Sequence, residues 1–218
     1  MWTLPNILTI ARIALAPVIA LLPFIQGYLP KLIAFVVFIA AAISDIYDGK
    51  LARARQEITD LGKLLDPLAD KLLLLATLIP IYWITNFRMR EYEIPWWGSL
   101  PLWVFVLLVG RELFMTLLRE WAKRRGVVIA AAGAGKLKTI IQDVFIGATI
   151  LWFAWRDLAA ERGWRRGWAG ELWDRLHGWV VALTLGIAVI LTVYSLGIYL
   201  YRYRGLFRGA PAAPRDGP

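Results

Sequence analysis

The chain has 218 residues, of which 59% are hydrophobic and 19% charged, and a mean hydropathy of +0.58. Soluble domains average about 45–50% apolar and about 25% charged residues, so a soluble globule is excluded, and so is disorder for the bulk of the chain. With no Cys and one His, disulfides, thiolate metal sites and Cys nucleophiles are excluded, and a zinc site of imidazoles is disfavoured. The 25 basic against 16 acidic residues leave a net charge of +9. In so apolar a chain, that excess points to anionic lipid or phosphate-bearing substrates rather than nucleic acid.

A membrane-spanning helix needs about 20 mostly apolar residues. In chain order such runs lie at 6–25, 31–53, 61–84, 101–122, 137–155 and 179–202, which predicts an all-α integral membrane protein of six transmembrane helices. Gly27, Pro30, Pro95, Pro101 and Gly178 fall between the runs, where helix breakers belong. No internal repeat is visible, and one catalytic domain is expected over 1–208, followed by a Pro-rich, disordered tail at 209–218. No basic segment precedes the first apolar run, so a cleaved signal is not expected. Lys and Arg concentrate around 50–63, 119–138 and 202–215, which places these segments and both termini in the cytoplasm of a bacterial inner membrane. The opposite loop, at about 156–178, is also basic and carries or adjoins Trp155, Trp164, Trp168, Trp173 and Trp179. It reads as an interfacial helix within an aromatic belt.

Ionisable groups inside spans are costly and mark function. Arg12, Lys71 and Arg111 sit within runs, and so do four acids. Asp45 and Asp48 share one side of the second predicted helix, and Asp66 and Asp70 share one side of the third, because positions three and four apart face the same way. A short connection makes these helices antiparallel neighbours, so the four carboxylates converge. Carboxylates crowded together repel unless a cation sits among them, and two hard divalent ions with all-oxygen ligands meet that need. Gly49, Ala52 and Gly62 allow close approach of a substrate or of a neighbouring backbone, and Arg53 suits a phosphate oxygen. Pairing with Lys50, Arg53, Lys63 and Lys71 at the membrane surface is the alternative for any single acid.

Together these residues read D-x2-D-G-x2-A-R-x8-G-x3-D-x3-D over 45–70. This pattern resembles the signature of the CDP-alcohol phosphatidyltransferase family. The resemblance implies a six-helix bundle, a homodimer, and displacement of CMP from a CDP-linked lipid by an alcohol. It implies that Asp45, Asp48, Asp66 and Asp70 hold two divalent ions, Mg²⁺ or Mn²⁺, with Asp70 also the general base. Asn6, Thr9, Asp48, Gly49, Ala52, Arg53 and Gly62 would bind CDP-diacylglycerol. For Asn6 and Thr9, capping of the first helix beside Pro5 is an equal alternative.

Three further stretches resemble the branch of the family that uses sn-glycerol 3-phosphate. They are Leu4 to Thr9 followed by Arg12, Arg111-Glu112 with Leu118 to Trp121, and Gly135 to Thr139. A phosphorylated acceptor needs a basic pocket, for which Arg111, Arg119, Lys136, Lys138 and Thr139 are the candidates. An internal pair with Glu112 or Asp143 is the alternative for Arg111, and positive-inside anchoring is the alternative for Arg119. Sibling acceptors (an inositol phosphate, phosphatidylglycerol or serine) remain open, and a cation transporter is the reading from a different class.

Overall fold

The computed structural model describes residues 3–55, 59–88, 93–127, 129, 133–164 and 167–204, except for the side chains of 46, 48–55, 60, 63, 64, 133, 134 and 136. The expected tail at 209–218 lies outside the described residues. The chain forms six long helices: α1 (Leu4–Leu21), α2 (Tyr28–Arg55), α3 (Asp60–Trp83), α4 (Leu102–Arg124), α5 (Gly133–Glu161) and α6 (Trp168–Arg202). Each overlaps one of the predicted runs, and α1 stops at Leu21, four residues before the expected end at 25. All but α4 carry a stretch apolar and long enough to cross a membrane. The 23 residues of α4 reach about 35 Å at 1.5 Å per residue, but the helix bears Arg111, Glu112, Arg119 and Glu120. Arg111 points into the bundle, where it is buried.

Packing follows the apolar faces. Helix α1 lies against α2 and α3, while α5 lies against α2 and α6. Phe38, Leu78, Ile81, Leu108, Phe145 and Ile150 belong to the main core, and Met115, Leu118, Ala122 and Tyr199 join the far half of α4 to α6. Large apolar side chains such as Leu21, Leu29, Val36, Leu117 and Ile190 point outward, as lipid-facing positions do.

The buried face of α1 explains the placement of the site. Asn6, Thr9 and Arg12 recur every three residues and are buried, and Ala16 and Ile19 continue the same face. The stripe is polar where α1 begins and apolar beyond. The polar end therefore meets the end of α2 and the start of α3.

At the opposite end of the bundle the sequence reading needs correction. The stretch at 156–178 is no separate interfacial helix: α5 runs on to Glu161 and α6 begins at Trp168. The helical extensions are joined by Asp174, which accepts hydrogen bonds from Trp152 Nε1 at 2.9 Å and Arg156 Nη2 at 3.2 Å. Trp155 packs against Trp164 and Trp173, with ring centroids 6.1 and 5.2 Å away. Two of the expected breakers sit inside helices. Pro30 occupies the first turn of α2, and Gly178 lies within α6, where a Cβ would come 2.8 Å from Pro95 Cγ. A close crossing, not a chain break, is the reason for that glycine.

Lys31, near the start of α2, is buried and donates to Asp157 of α5 at 2.5 Å and to the carbonyl of Ile25 at 3.0 Å. Removing one partner of a buried pair costs about 3–5 kcal/mol. Asp157→Leu is therefore expected to lower stability by about that amount, read as thermal unfolding in detergent. An unchanged transition would show that the pair does not tie α2 to α5.

Candidate active site

Five helices bring their polar residues to a cavity of about 400 Å³ near the polar end of α1. Arg12 enters from α1, Asp45 from α2, Asp70 from α3, and Lys138, Thr139, Gln142 and Asp143 from α5, with Glu112 of α4 completing the wall. Phe38, Leu73, Leu74 and Ile146 close it on the apolar side.

The carboxylates are joined through a cation. Arg12 Nη1 donates to Asp45 Oδ1 at 2.5 Å and to Asp70 Oδ1 at 3.4 Å. Two oxygens sharing one nitrogen can be no farther apart than those two distances laid end to end, so Asp45 and Asp70 do converge across α2 and α3. Arg12 is 3% exposed, while the two acids are at least half exposed and open to the cavity. One turn earlier on α1, Thr9 Oγ1 donates to Asp66 Oδ1 at 2.8 Å and to the Pro5 carbonyl at 3.1 Å. Asp66 thus stands beside the cavity, held to α1, and is not in its wall.

Among the described residues, no three acids close into a ligand cluster. The fourth acid of the pattern, Asp48, belongs to α2, but its side chain lies outside the described residues, as do those of Ala52 and Arg53, with Gly49 between them. The donor set that is described consists of hard carboxylate oxygens carried by facing helices, which suits a divalent metal ion.

Asn6 and Thr9 do not cap α1. The N-cap is Thr3, which makes no side-chain capping bond, and Pro5 sits in the first turn. Instead Asn6 Oδ1 accepts from Thr59 Oγ1 at 3.0 Å, and that same hydroxyl oxygen caps α3 by accepting from Gly62 N at 3.0 Å. Asn6 is 2% exposed, and its Nδ2 has no hydrogen-bond partner among the described residues. This arrangement explains the glycine of the pattern, because a Cβ on Gly62 would lie 2.8 Å from Asn6 Oδ1 and 3.2 Å from Thr59 Oγ1.

The second charged cluster is centred on Glu112. Its Oε1 accepts from Lys138 Nζ at 2.5 Å and from Arg111 Nη1 at 2.6 Å. Arg111 Nη2 also donates to Ser195 Oγ at 3.2 Å, and the guanidinium lies over Tyr199, 6.0 Å from the ring centroid. Of the five residues expected to take an acceptor's phosphate, Lys138 and Thr139 line the cavity and Arg111 stands behind Glu112. Arg119 is exposed on α4 and is not part of the cavity wall, and the Lys136 side chain lies outside the described residues.

The sequence reading assigns no role in the site to Arg12, Glu112 or Gln142. For Arg12 and Glu112 the available signal was a charge inside an apolar run. For Gln142 there was none, since a neutral amide in a helix is unremarkable until its neighbours are known.

Comparison with known proteins gives a consistent result. Residues 2–194 match the CDP-alcohol phosphatidyltransferase family. A Mycobacterium tuberculosis protein named "Probable phosphatidylglycerophosphate synthase" is 40% identical over 68% of this chain and 66% of its own length. The chain thus spans just under two thirds of that relative. An Arabidopsis thaliana protein named "CDP-diacylglycerol--glycerol-3-phosphate 3-phosphatidyltransferase 2" is 35% identical over 73% of this chain and 68% of its own. A Salmonella choleraesuis protein named "CDP-diacylglycerol--glycerol-3-phosphate 3-phosphatidyltransferase" is 29% identical over 94% of this chain and 96% of its own.

The packing at Gly62 yields a direct test. Gly62→Ala is expected to push the Asn6 amide from its buried position, and overpacking of this kind costs about 1–3 kcal/mol. Pairing it with Asn6→Ala removes the obstructing atom, so the loss in the double variant should be smaller than the sum of the two single losses. Strict additivity in thermal unfolding would contradict the contact.

Proposed function

The chain belongs to the CDP-alcohol phosphatidyltransferase family, and on that premise we propose that it transfers the phosphatidyl group of CDP-diacylglycerol to sn-glycerol 3-phosphate, releasing CMP. The observation that carries this reading is the meeting, around one cavity, of the signature acids Asp45 and Asp70 with the cation Lys138. The first two are suited to hold divalent ions against a diphosphate and, at Asp70, to take a proton from an attacking hydroxyl, and the third to the phosphate of the acceptor. The names of the relatives support the same reaction.

In this reaction the acceptor's hydroxyl oxygen attacks the phosphorus attached to diacylglycerol. The bond between that phosphorus and the oxygen bridging it to CMP breaks, and CMP leaves with the electron pair. Asp70 takes the hydroxyl proton as the new oxygen–phosphorus bond forms, since an alcohol of high pKa needs a base within hydrogen-bond reach. Lys138 takes the acceptor's phosphate, Thr139 adds a hydroxyl, and Arg111 adds positive field from behind Glu112. Lys136 and Arg119 supply further positive charge towards the same end of the bundle. Asn6, whose Nδ2 has no partner among the described residues, and Thr9 would bind the nucleotide side together with Gly62, and the family resemblance assigns Asp48, Gly49, Ala52 and Arg53 to CDP-diacylglycerol as well.

The family is generally dependent on a divalent metal. Asp45, Asp48, Asp66 and Asp70 are the residues that would hold two such ions, Mg²⁺ or Mn²⁺. Their chemical contribution is to neutralise the diphosphate and stabilise the departing CMP. The distribution of Lys and Arg supports a site facing the cytoplasm of a bacterial inner membrane, and the family resemblance supports a homodimer.

An acceptor screen tests this reading. Purified protein with Mn²⁺ is expected to release CMP from CDP-diacylglycerol when sn-glycerol 3-phosphate is added, and not with inositol phosphate, serine or phosphatidylglycerol. In the same assay Asp70→Asn is expected to abolish turnover while retaining CDP-diacylglycerol binding. Release with inositol phosphate but not with glycerol phosphate would overturn the choice of acceptor.

A further inference from the structure

Asp143 lines the cavity and has no part in the reaction as described above. Its side chain is half-buried, so it is not sealed in the core. Thr139, one turn earlier on α5, is exposed and lines the same cavity, and residues four apart share a face. The charges of Asp45 and Asp70, which open to the cavity from α2 and α3, act on Asp143 directly. Its carboxylate therefore belongs to the space that these residues enclose.

Among the described residues, no hydrogen bond or ion pair reaches Asp143. The neighbouring donors are engaged with other groups. Lys138 Nζ donates to Glu112, Arg111 to Glu112 and Ser195, Arg12 Nη1 to Asp45 and Asp70, and Thr139 Oγ1 to the Gly135 carbonyl. Neither cation expected to meet the acceptor's phosphate pairs with this acid. An ionised carboxylate only accepts hydrogen bonds, so the group that matches Asp143 is a donor brought in by a ligand.

Depth in the bundle identifies that donor. Asp45, Asp70 and Asp143 each stand ten residues from the helix end on this side, which is Arg55 of α2, Asp60 of α3 and Gly133 of α5. Lys138 and Thr139 lie nearer that end, with Thr139 about 6 Å from Asp143 along the axis. A three-carbon phosphate held at Lys138 and Thr139 thus carries its hydroxyls to the level of Asp70 and Asp143. Two carboxylates there meet two hydroxyls. Asp70 takes the proton of the one that attacks, which leaves the adjacent hydroxyl for Asp143.

We propose that Asp143 is a specificity residue: its carboxylate accepts a hydrogen bond from the non-reacting hydroxyl of the acceptor, so the site selects a phosphorylated vicinal diol over a phosphate with one hydroxyl. This rests on the glycerol phosphate reading above. A hydrogen bond to an ionised acceptor is stronger than one between neutral groups, so an acceptor lacking that hydroxyl loses a substantial interaction.

The test compares kcat/KM for sn-glycerol 3-phosphate and for 3-hydroxypropyl phosphate, which lacks only the central hydroxyl, using intact protein with Mn²⁺ and CDP-diacylglycerol. Wild type is expected to prefer glycerol 3-phosphate by about tenfold or more. Asp143→Leu removes the acceptor oxygens and is expected to abolish that preference with the KM for CDP-diacylglycerol unchanged. Asp143→Asn removes the charge but keeps an acceptor oxygen, and is expected to retain a reduced preference. Equal use of the two phosphates by wild type would overturn the proposal without any variant. So would a wild-type preference in Asp143→Leu, or a complete loss of preference in Asp143→Asn, which would assign the effect to charge alone. Failure of the underlying acceptor reading looks different, because wild type would then release no CMP with either phosphate.

Discussion

A guanidinium buried between carboxylates of two other helices organises this protein. Arg12 is 3% exposed and shares one nitrogen between Asp45 and Asp70. Alone, a buried cation of this kind would be strongly destabilising, and alone the two acids would repel each other. Together they hold α1 against α2 and α3 at the one depth where all three helices carry charge. The other polar contacts of α1 follow the same face, with Thr9 on Asp66 and Asn6 on Thr59. Beyond Arg12 that face becomes Ala16 and Ile19 and serves as ordinary core. A single helical stripe therefore builds both the site and the packing beneath it.

The second charged cluster repeats the arrangement with the signs reversed. Glu112 is the anion between two cations, Arg111 and Lys138, and it joins α4 to α5. The cavity lies between the two clusters, with an acid-rich wall from α2 and α3 and a lysine on α5. The proposed reaction, with a nucleotide diphosphate held through divalent ions and approached by a phosphorylated alcohol, would use those two environments side by side. The net charge of +9 is thus partly explained by position. A few cations are paired inside the bundle, while others, such as Lys123 and Arg124, lie at the end of α4 as helix-terminal and positive-inside residues do.

The helices were legible in the sequence because hydropathy over about 20 residues reports burial in lipid directly. The acids were legible because spacing along a helix reports which side chains share a face. What lay beyond reach was pairing between helices. The charge of Arg12 was visible within an apolar run, but nothing local says that its partners lie 33 and 58 positions away. Asn6 and Thr9 near a helix start left capping as an equal alternative to nucleotide binding, and tertiary partners, not caps, hold them. The stretch at 156–178 looked like a loop with its own interfacial helix because its composition is polar and aromatic. Its helices continue because Asp174 satisfies Trp152 and Arg156 across the pair. The demand for glycine at position 62 became explicable only when the Asn6 amide was placed against it.

The account stands on the claim that Arg12 balances the charge of a carboxylate site suited to divalent cations. Thermal unfolding of Arg12→Met, measured in detergent with a chelator and again with Mn²⁺, tests it most directly. With the chelator, the variant is expected to unfold about 5–10 °C below wild type, because the acids face each other without their shared cation. With Mn²⁺, most of that loss is expected to disappear. An equal loss in both conditions, or none in either, would contradict the claim.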